Sequence, residues 1–191
     1  MRKLLFVFIL CTLVLSACSS SIPKSGKALA DFNYTDQDGN AFGLEDLKGK
    51  VWVATFIYTH CETECPMMAL NMSELQQDVA DEGLEDVHFV AFSIDPEVDT
   101  PEILKEYGQK FNADFSTWHF LTGYTQEEIE AYGPKNFNTV IKKPEDSDQV
   151  IHMVDFYLVN KKGELIKNYN GMEDVPFDQI VKDIKAALKQ K

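Results

Sequence analysis

The order of apolar and polar positions after residue 50 predicts a strand, a helix and a second strand. Val51–Tyr58 is almost continuously apolar and rich in β-forming residues, as is typical of a central strand covered on both faces. After it, apolar residues recur at spacings of four, three and four and form one helical stripe: Met68, Met72, Leu75 and Val79. Val87–Ile94 is a second apolar run. We interpret the stretch as a βαβ unit with parallel strands.

Two further helices are predicted by their start signals. Thr100-Pro101 places proline at a first helical position. Thr125 and Glu128 have the spacing of a capping box, and we expect the helix that they begin to end near Gly133-Pro134.

The C-terminal third predicts two strands and a closing helix. A charged loop leads into a strand over His152–Val159, which turns at Asn160–Gly163 into a partner strand over Glu164–Tyr169. Apolar residues at helical spacing then mark an amphipathic helix over Phe177–Leu188. Near the start, Asp31–Gly43 reads as two short strands around a turn. The order βαβ then ββα predicts an α/β, thioredoxin-like fold with a central mixed sheet flanked by helices.

The first 30 residues have the composition of an export signal and a linker. Arg2 and Lys3 precede a short apolar run, which is typical of a secretion signal over residues 1–17. Leu15-Ser16-Ala17-Cys18 resembles a bacterial lipobox, and the resemblance implies cleavage before Cys18 and attachment of lipid to its sulfur. Residues 18–30 are then expected to be a flexible, lipidated tether, and residues 31–191 the domain. The predicted location is the extracytoplasmic face of the cell membrane.

The formal net charge of −13 limits the partners of the protein. Nucleic acid is excluded because binding it requires a basic patch. An acidic surface does not adhere to anionic lipid either, so we expect the acyl chains at Cys18 to provide the anchor.

Cys61 and Cys65 are the candidate reactive residues. Cys11 leaves with the predicted signal and Cys18 carries the lipid, so these two remain as thiols. Four residues apart near a helix N-terminus, they share one face, where the helix dipole favours thiolate. They have the placement to close a redox-active disulfide or to bind one soft metal ion, and the polar residues between them favour an exposed site. The alternative is a pair of buried cysteines that act as small apolar residues.

The four histidines differ in their context along the chain. His88 and His119 lie in or beside apolar strands and are expected to be structural. His60 adjoins Cys61 and is a weaker candidate for a metal ligand or a neighbour that tunes the thiol. His152 stands where the charged loop enters a strand, a position at which sheet folds often place functional side chains.

Three segments in this order resemble the Sco/SenC copper proteins. They are Thr59–Pro66, with the two cysteines, then Ser93–Pro101, and His152 ahead of Phe156–Val159. The resemblance implies a membrane-anchored thioredoxin-fold protein that helps to build the dinuclear Cu-A centre of cytochrome c oxidase, with subunit II as its partner. It also implies that the copper ligands are Cys61, Cys65 and His152, and that Asp95 is an acidic residue near the site.

The donor set supports that interpretation independently, because two thiolates and one imidazole suit copper. Zinc normally requires a fourth ligand or a water molecule. Met68 and Met72 fall on the helical stripe, so we expect them to pack in the core, and the role of Met67 stays open. Three functions remain: copper delivery, copper-independent thiol–disulfide reduction, and copper or redox sensing.

Overall fold

A computed structural model describes residues 22–190, which contain ten strands and four α-helices. The strands are β1 (Lys27–Ala28), β2 (Asn33–Thr35), β3 (Ala41–Gly43), β4 (Val51–Ile57), β5 (Val87–Ser93), β6 (Trp118–Leu121), β7 (Ile141–Lys142), β8 (Ile151–His152), β9 (Asp155–Val159) and β10 (Glu164–Asn170). The helices are α1 (Glu64–Asp81), α2 (Pro101–Lys110), α3 (Gln126–Phe137) and α4 (Phe177–Leu188).

A mixed sheet of six strands, in the order β1-β10-β9-β4-β5-β6, forms the centre of the fold. Strand β4 pairs in parallel with β5 over its whole length and antiparallel with β9. All seven β4 residues are buried, as expected of a strand covered on both faces. The α/β class, the mixed sheet and the βαβ unit predicted from the sequence are confirmed.

Helix α1 packs its apolar stripe against the core. Met68, Met72, Leu75 and Val79 are all buried, which confirms that the first two are packing residues. Met67 points away from the core and is 48% exposed. The N-terminus of α1, which carries Cys65, is therefore held against the sheet by the burial of its own side chains.

Helix α3 does not end near Gly133-Pro134 as predicted but continues to Phe137. Proline removes one backbone donor, whereas continuation buries Phe137 in ring contact with Trp52, Phe56, Phe92 and Tyr157. The helix ends at Asn138, which adopts the left-handed conformation that favours asparagine at this position. The capping box of Thr125 and Glu128 is present as predicted.

Part of the segment assigned to the tether, residues 18–30, contributes to the central sheet. Lys27–Ala28 pairs with β10 as an edge strand, and the flanking Ile22 and Leu29 are buried. The unpaired edge of β10 accounts for this, because it offers backbone donors and acceptors to any segment that reaches it. The predicted signal, the lipobox and Cys18 lie outside the described residues.

The strand predicted over His152–Val159 is two separate strands. His152 belongs to β8, which pairs with β7 in a small sheet of its own, while β9 begins at Asp155. Between them, Val154 leaves the strand pattern and its carbonyl accepts a hydrogen bond of 2.7 Å from Gly171 N. His152 thus lies on a hairpin beside the central sheet.

Two neighbouring strands bring His88 and His119 together in a structural pair, as expected. His88 Nδ1 lies 3.2 Å from His119 Nε2, and the His119 ring stacks on Phe42 at 4.0 Å. Burial is the main reason that the pKa of each imidazole is lowered to about 4. The folded protein therefore holds both rings neutral at ordinary pH.

We predict that this pair makes the fold sensitive to acid. The folded-state pKa values of about 4 lie below the ordinary value of 6.5, so the unfolded chain binds protons first as the pH falls. The contribution of the two histidines to the free energy of unfolding should be fully present above about pH 6.5 and lost as the pH falls towards 4. After allowance for solvent screening, this loss should be about 1–2 kcal/mol. Urea unfolding of wild type and His88→Asn/His119→Asn at pH 7 and 4.5 measures it. The variant should lose less stability between the two pH values, and equal losses would contradict the prediction.

Candidate metal and redox centre

The two cysteines lie where β4 ends and α1 begins, as the sequence predicts. Cys61 is in the connecting loop and Cys65 in the first turn of α1. The loop residues Glu62 and Thr63 are exposed, but both cysteines are buried free thiols. The prediction of an exposed site is therefore correct for the loop residues and wrong for the two cysteines. The start of α1 turns their sulfur atoms towards the interior.

Hydrogen bonds make the two sulfurs unequal. Cys65 N donates to Cys61 Sγ at 3.3 Å, and Tyr58 N donates to Cys65 Sγ at 3.5 Å. The pKa of Cys61 is lowered to about 4, chiefly by a hydrogen bond from the Cys65 thiol and further by backbone N–H groups. The same bond to Cys61, followed by burial, raises the pKa of Cys65 well above its usual value. The Cys61 thiol therefore ionises before that of Cys65.

His152 reaches the cysteines from β8. Its Nε2 lies 3.8 Å from Cys65 Sγ, and its Nδ1 lies 2.9 Å from the carbonyl oxygen of Met153. A hydrogen on Nδ1 that donates to this carbonyl leaves the Nε2 lone pair directed at the sulfurs. The ring is also in edge-on contact with Tyr58, with 5.8 Å between centroids.

Within residues 22–190, Cys61, Cys65 and His152 form the one group of three such side chains whose donor atoms lie close enough to hold a metal ion. The three atoms are within 4.8 Å of one another. Two sulfurs and an imidazole nitrogen are soft to intermediate donors, a set that suits copper. The arrangement also suits disulfide exchange, since a thiolate has a protonated partner thiol beside it.

The other candidates lie around this group. His60 is exposed and outside it, with Nδ1 3.4 Å from Thr59 Oγ1. Asp95 is buried, and its carboxylate pairs with Lys143 Nζ at 2.7 Å. Asp95 therefore ties the β5–α2 connection to the charged loop.

Sequence reasoning missed Asp99 as a support of the cysteine loop. Its fully buried carboxylate accepts hydrogen bonds from Thr59 Oγ1 at 2.6 Å, Ser93 Oγ at 2.6 Å and Thr59 N at 3.3 Å. Burial raises its pKa against these hydrogen bonds, which act to lower it. Asp99 lies in one of the three family segments, but nothing in the spacing shows which of the two aspartates there faces the loop.

No helix within residues 22–190 has both the length and the apolarity to cross a bilayer. The sequence profile of the SCO1/SenC family matches residues 21–189. A Bacillus subtilis protein described as an SCO1 homologue is 47% identical over 156 residues, which cover 82% of this chain and 80% of that protein.

Solved structures of similar proteins have the same fold. A SCO1/SenC family lipoprotein from Bacillus anthracis has a TM-score of 0.84 at 45% identity, over 88% of this chain and 100% of that one. BsSco, a member of the Sco family of cytochrome c oxidase assembly proteins in which a disulfide switch was identified, has a TM-score of 0.81 at 45% identity, over 87% and 96%. Copper-bound ScoI from Bradyrhizobium japonicum has a TM-score of 0.70 at 27% identity, over 84% and 99%. The predicted thioredoxin-like fold is confirmed, and the chain belongs to the SCO1/SenC family.

Proposed function

We propose that this protein binds copper through Cys61, Cys65 and His152 and assists assembly of the dinuclear Cu-A centre of cytochrome c oxidase. The convergence of these three donor atoms within 4.8 Å, in a chain of the SCO1/SenC family, carries the proposal. The names of two relatives support it, since one is a cytochrome c oxidase assembly protein and the other a copper-bound Sco protein.

Each of the three residues has a distinct part in holding the copper cargo. Cys61, whose pKa is lowered to about 4, supplies a thiolate without prior loss of a proton. Cys65 must release its proton when copper binds, so uptake of the ion is coupled to proton release. His152 supplies the lone pair of Nε2 and is oriented by the contact of Nδ1 with the Met153 carbonyl. A set of three soft to intermediate donors favours a site from which a soft ion can be passed on.

A second function, thiol–disulfide reduction, is favoured by the inequality of the two sulfurs. The Cys61 thiolate would attack one sulfur of a target disulfide, forming a mixed disulfide and releasing a target thiolate. Cys65 would then lose its proton and attack Cys61, which releases the second target thiolate and leaves a Cys61–Cys65 disulfide. Two electrons pass to the target in this exchange. A sensor that binds copper and passes nothing on would use the same residues.

We further propose that the protein is anchored by lipid at Cys18 on the extracytoplasmic side of the membrane. The lipobox in the sequence supports this, and the similar B. anthracis protein is called a lipoprotein. The exported Cu-A domain of oxidase subunit II, the proposed partner, lies on the same side.

The copper site predicts a clear ligand requirement. In a titration of the reduced full chain with Cu(I), wild type should bind one ion, and His152→Ala should bind it more weakly by more than the 10–100-fold typical of an outer-shell partner. The disulfide should still form in this variant because both sulfurs are unchanged. His60→Ala is the matched control, and its affinity should equal that of wild type. Equal affinities of His152→Ala and wild type would contradict the assigned ligand set.

Deletion of the gene should lower the activity of an oxidase that contains the Cu-A centre and spare a quinol oxidase that lacks it. Added copper should restore activity if the protein delivers copper, whereas an added dithiol should do so if it reduces the subunit II cysteines. Oxygen consumption with cytochrome c and with quinol as electron donors measures the two enzymes separately. Equal loss of both activities, or of neither, would contradict a role in assembly.

The Asp99 contacts predict a role in supporting the cysteine loop. Asp99→Ala leaves the half-buried donors of Thr59 and the buried donor of Ser93 without their acceptor, which should cost about 2–4 kcal/mol of unfolding free energy. Affinity for Cu(I) should fall as well, since the loop that carries Cys61 loses its support. Glu97→Ala, at an exposed carboxylate in the same segment, is the control and should stay within about 0.5 kcal/mol of wild type in urea. A stable Asp99→Ala protein with wild-type affinity would contradict this role.

A further inference from the structure

A chain of hydrogen bonds joins the hairpin that carries His152 to the helix that carries Cys65. It starts two residues after His152, where the Val154 carbonyl accepts a hydrogen bond of 2.7 Å from Gly171 N. The preceding carbonyl, that of Met153, lies 2.9 Å from His152 Nδ1. Two successive carbonyls therefore contact the imidazole on one side and the turn after β10 on the other.

Helix α1 supplies the next bonds through the side chain of Asn71. Its Nδ2 donates to the Gly171 carbonyl at 2.9 Å and to the Met172 carbonyl at 3.0 Å. Both partners are acceptors, so both hydrogens of the amide nitrogen are used. Asn71 is half-buried and lies six residues after Cys65, about 9 Å along the helix axis. The helix that holds Cys65 therefore also holds the turn at Gly171.

The turn after β10 is closely packed. Asn170 Oδ1 accepts a hydrogen bond of 2.8 Å from Met172 N, which closes the turn. A Cβ atom at Gly171 would lie 2.7 Å from Cδ1 of Phe156, a fully buried residue of β9, so this position has no room for a side chain. Such packing leaves the turn little space in which to shift. A bond made to the turn from α1 therefore also holds Val154 in place.

His152 depends on support of this kind because its own strand provides little. Strand β8 has two residues and pairs with β7 in a sheet separate from the central one. Short segments with few buried contacts open most easily. For an ion shared with the sulfurs, the decisive distance is that from His152 Nε2 to Cys65 Sγ, which is 3.8 Å.

We propose that Asn71 is a positioning residue of the metal site and that it acts through the backbone of Gly171 and Val154 to set the distance from His152 to Cys65. Without the Asn71 amide, the turn and the hairpin lose a connection to α1, and the imidazole is held less firmly beside the sulfurs. Part of the binding free energy is then spent on drawing this ligand into place. The inference rests on the proposed assignment of His152 as a ligand but not on delivery of copper to a partner.

A double-mutant cycle on the affinity of the reduced full chain for Cu(I) tests the proposal. Asn71→Ala should weaken binding about three- to tenfold, less than the 10–100-fold typical of a direct outer-shell partner, because Asn71 acts through two further residues. In a His152→Ala background, the same change should have no effect, since no imidazole remains to be positioned.

Gln76→Ala is the matched control. From the same helix, Gln76 Nε2 donates to Thr117 Oγ1 at 2.9 Å, and its Oε1 accepts a hydrogen bond of 3.0 Å from Asp114 N, in the connection between α2 and β6. This variant also removes amide hydrogen bonds that tie α1 to a neighbouring segment, but the segment is not the one that leads to His152. Its affinity for Cu(I) should equal that of wild type.

Two measurements on the metal-free full chain separate positioning from general support of α1. In the reduced protein, the nuclear Overhauser effect between the His152 ring and the Cys65 methylene protons should weaken in Asn71→Ala and keep its wild-type strength in Gln76→Ala. The dithiol–disulfide equilibrium of Cys61 and Cys65 in glutathione buffer should be the same in all three proteins, because β4 and α1 place both cysteines.

Three outcomes would overturn the proposal. They are wild-type affinity in Asn71→Ala, an effect of Asn71→Ala that persists in the His152→Ala background, and equal losses of affinity in Asn71→Ala and Gln76→Ala. If Asn71→Ala fails to fold by circular dichroism, Asn71→Asp, which keeps the shape of the side chain and lacks the donor hydrogens, replaces it in every measurement. Equal affinities of wild type and His152→Ala would overturn the proposed ligand set, and the contact of His152 with Cys65 in the metal-free chain would still decide whether Asn71 positions the ring.

Discussion

The pairing of β4 with β5 on one side and with β9 on the other determines where Cys61 and Cys65 leave the sheet. Backbone hydrogen bonds on both edges and complete burial fix the register of β4, since a shift of one residue would exchange the side chains that pack on its two covered faces. The chain therefore exits at Tyr58 in one orientation. Helix α1 then begins at a defined distance from the sheet, and its buried stripe holds it there.

The third member of the site comes from a much less supported element. His152 lies on β8, a strand of two residues that pairs only with β7, and their connection carries the charged residues of the loop. Few buried contacts hold such a segment, so it belongs to the part of a fold that opens most easily. A site with Cys65 on a packed helix and His152 on a short hairpin suits uptake and release of an ion better than permanent retention.

The hydrogen bonds and burial that make the two sulfurs unequal suit both of the proposed chemistries. Cys61 is stabilised as a thiolate by donors from Cys65 and the backbone, while Cys65 keeps its proton in the interior. The same inequality that starts disulfide exchange presents a ready ligand to a soft ion. The Asp99 carboxylate holds the cysteine loop in place, since it accepts hydrogen bonds from Thr59 in the loop and from Ser93 at the end of β5.

The sequence alone was sufficient for the elements with a strong local period or a start signal. The apolar run of β4, the apolar stripe of α1 and the N-terminal caps of α2 and α3 are each formed by residues close together in the chain. A short-range sequence pattern is therefore enough to predict each of them. The three family segments likewise identified the family and the candidate residues Cys61, Cys65 and His152. Tertiary structure decided what depends on distant partners: the edge strand at Lys27–Ala28, the extension of α3 past Pro134, the break before Asp155, and the choice of Asp99 over Asp95 as the support of the cysteine loop. Each of these is decided by a contact between residues far apart in the chain, such as Phe137 with Tyr157 or Thr59 with Asp99, and no local pattern records such a contact.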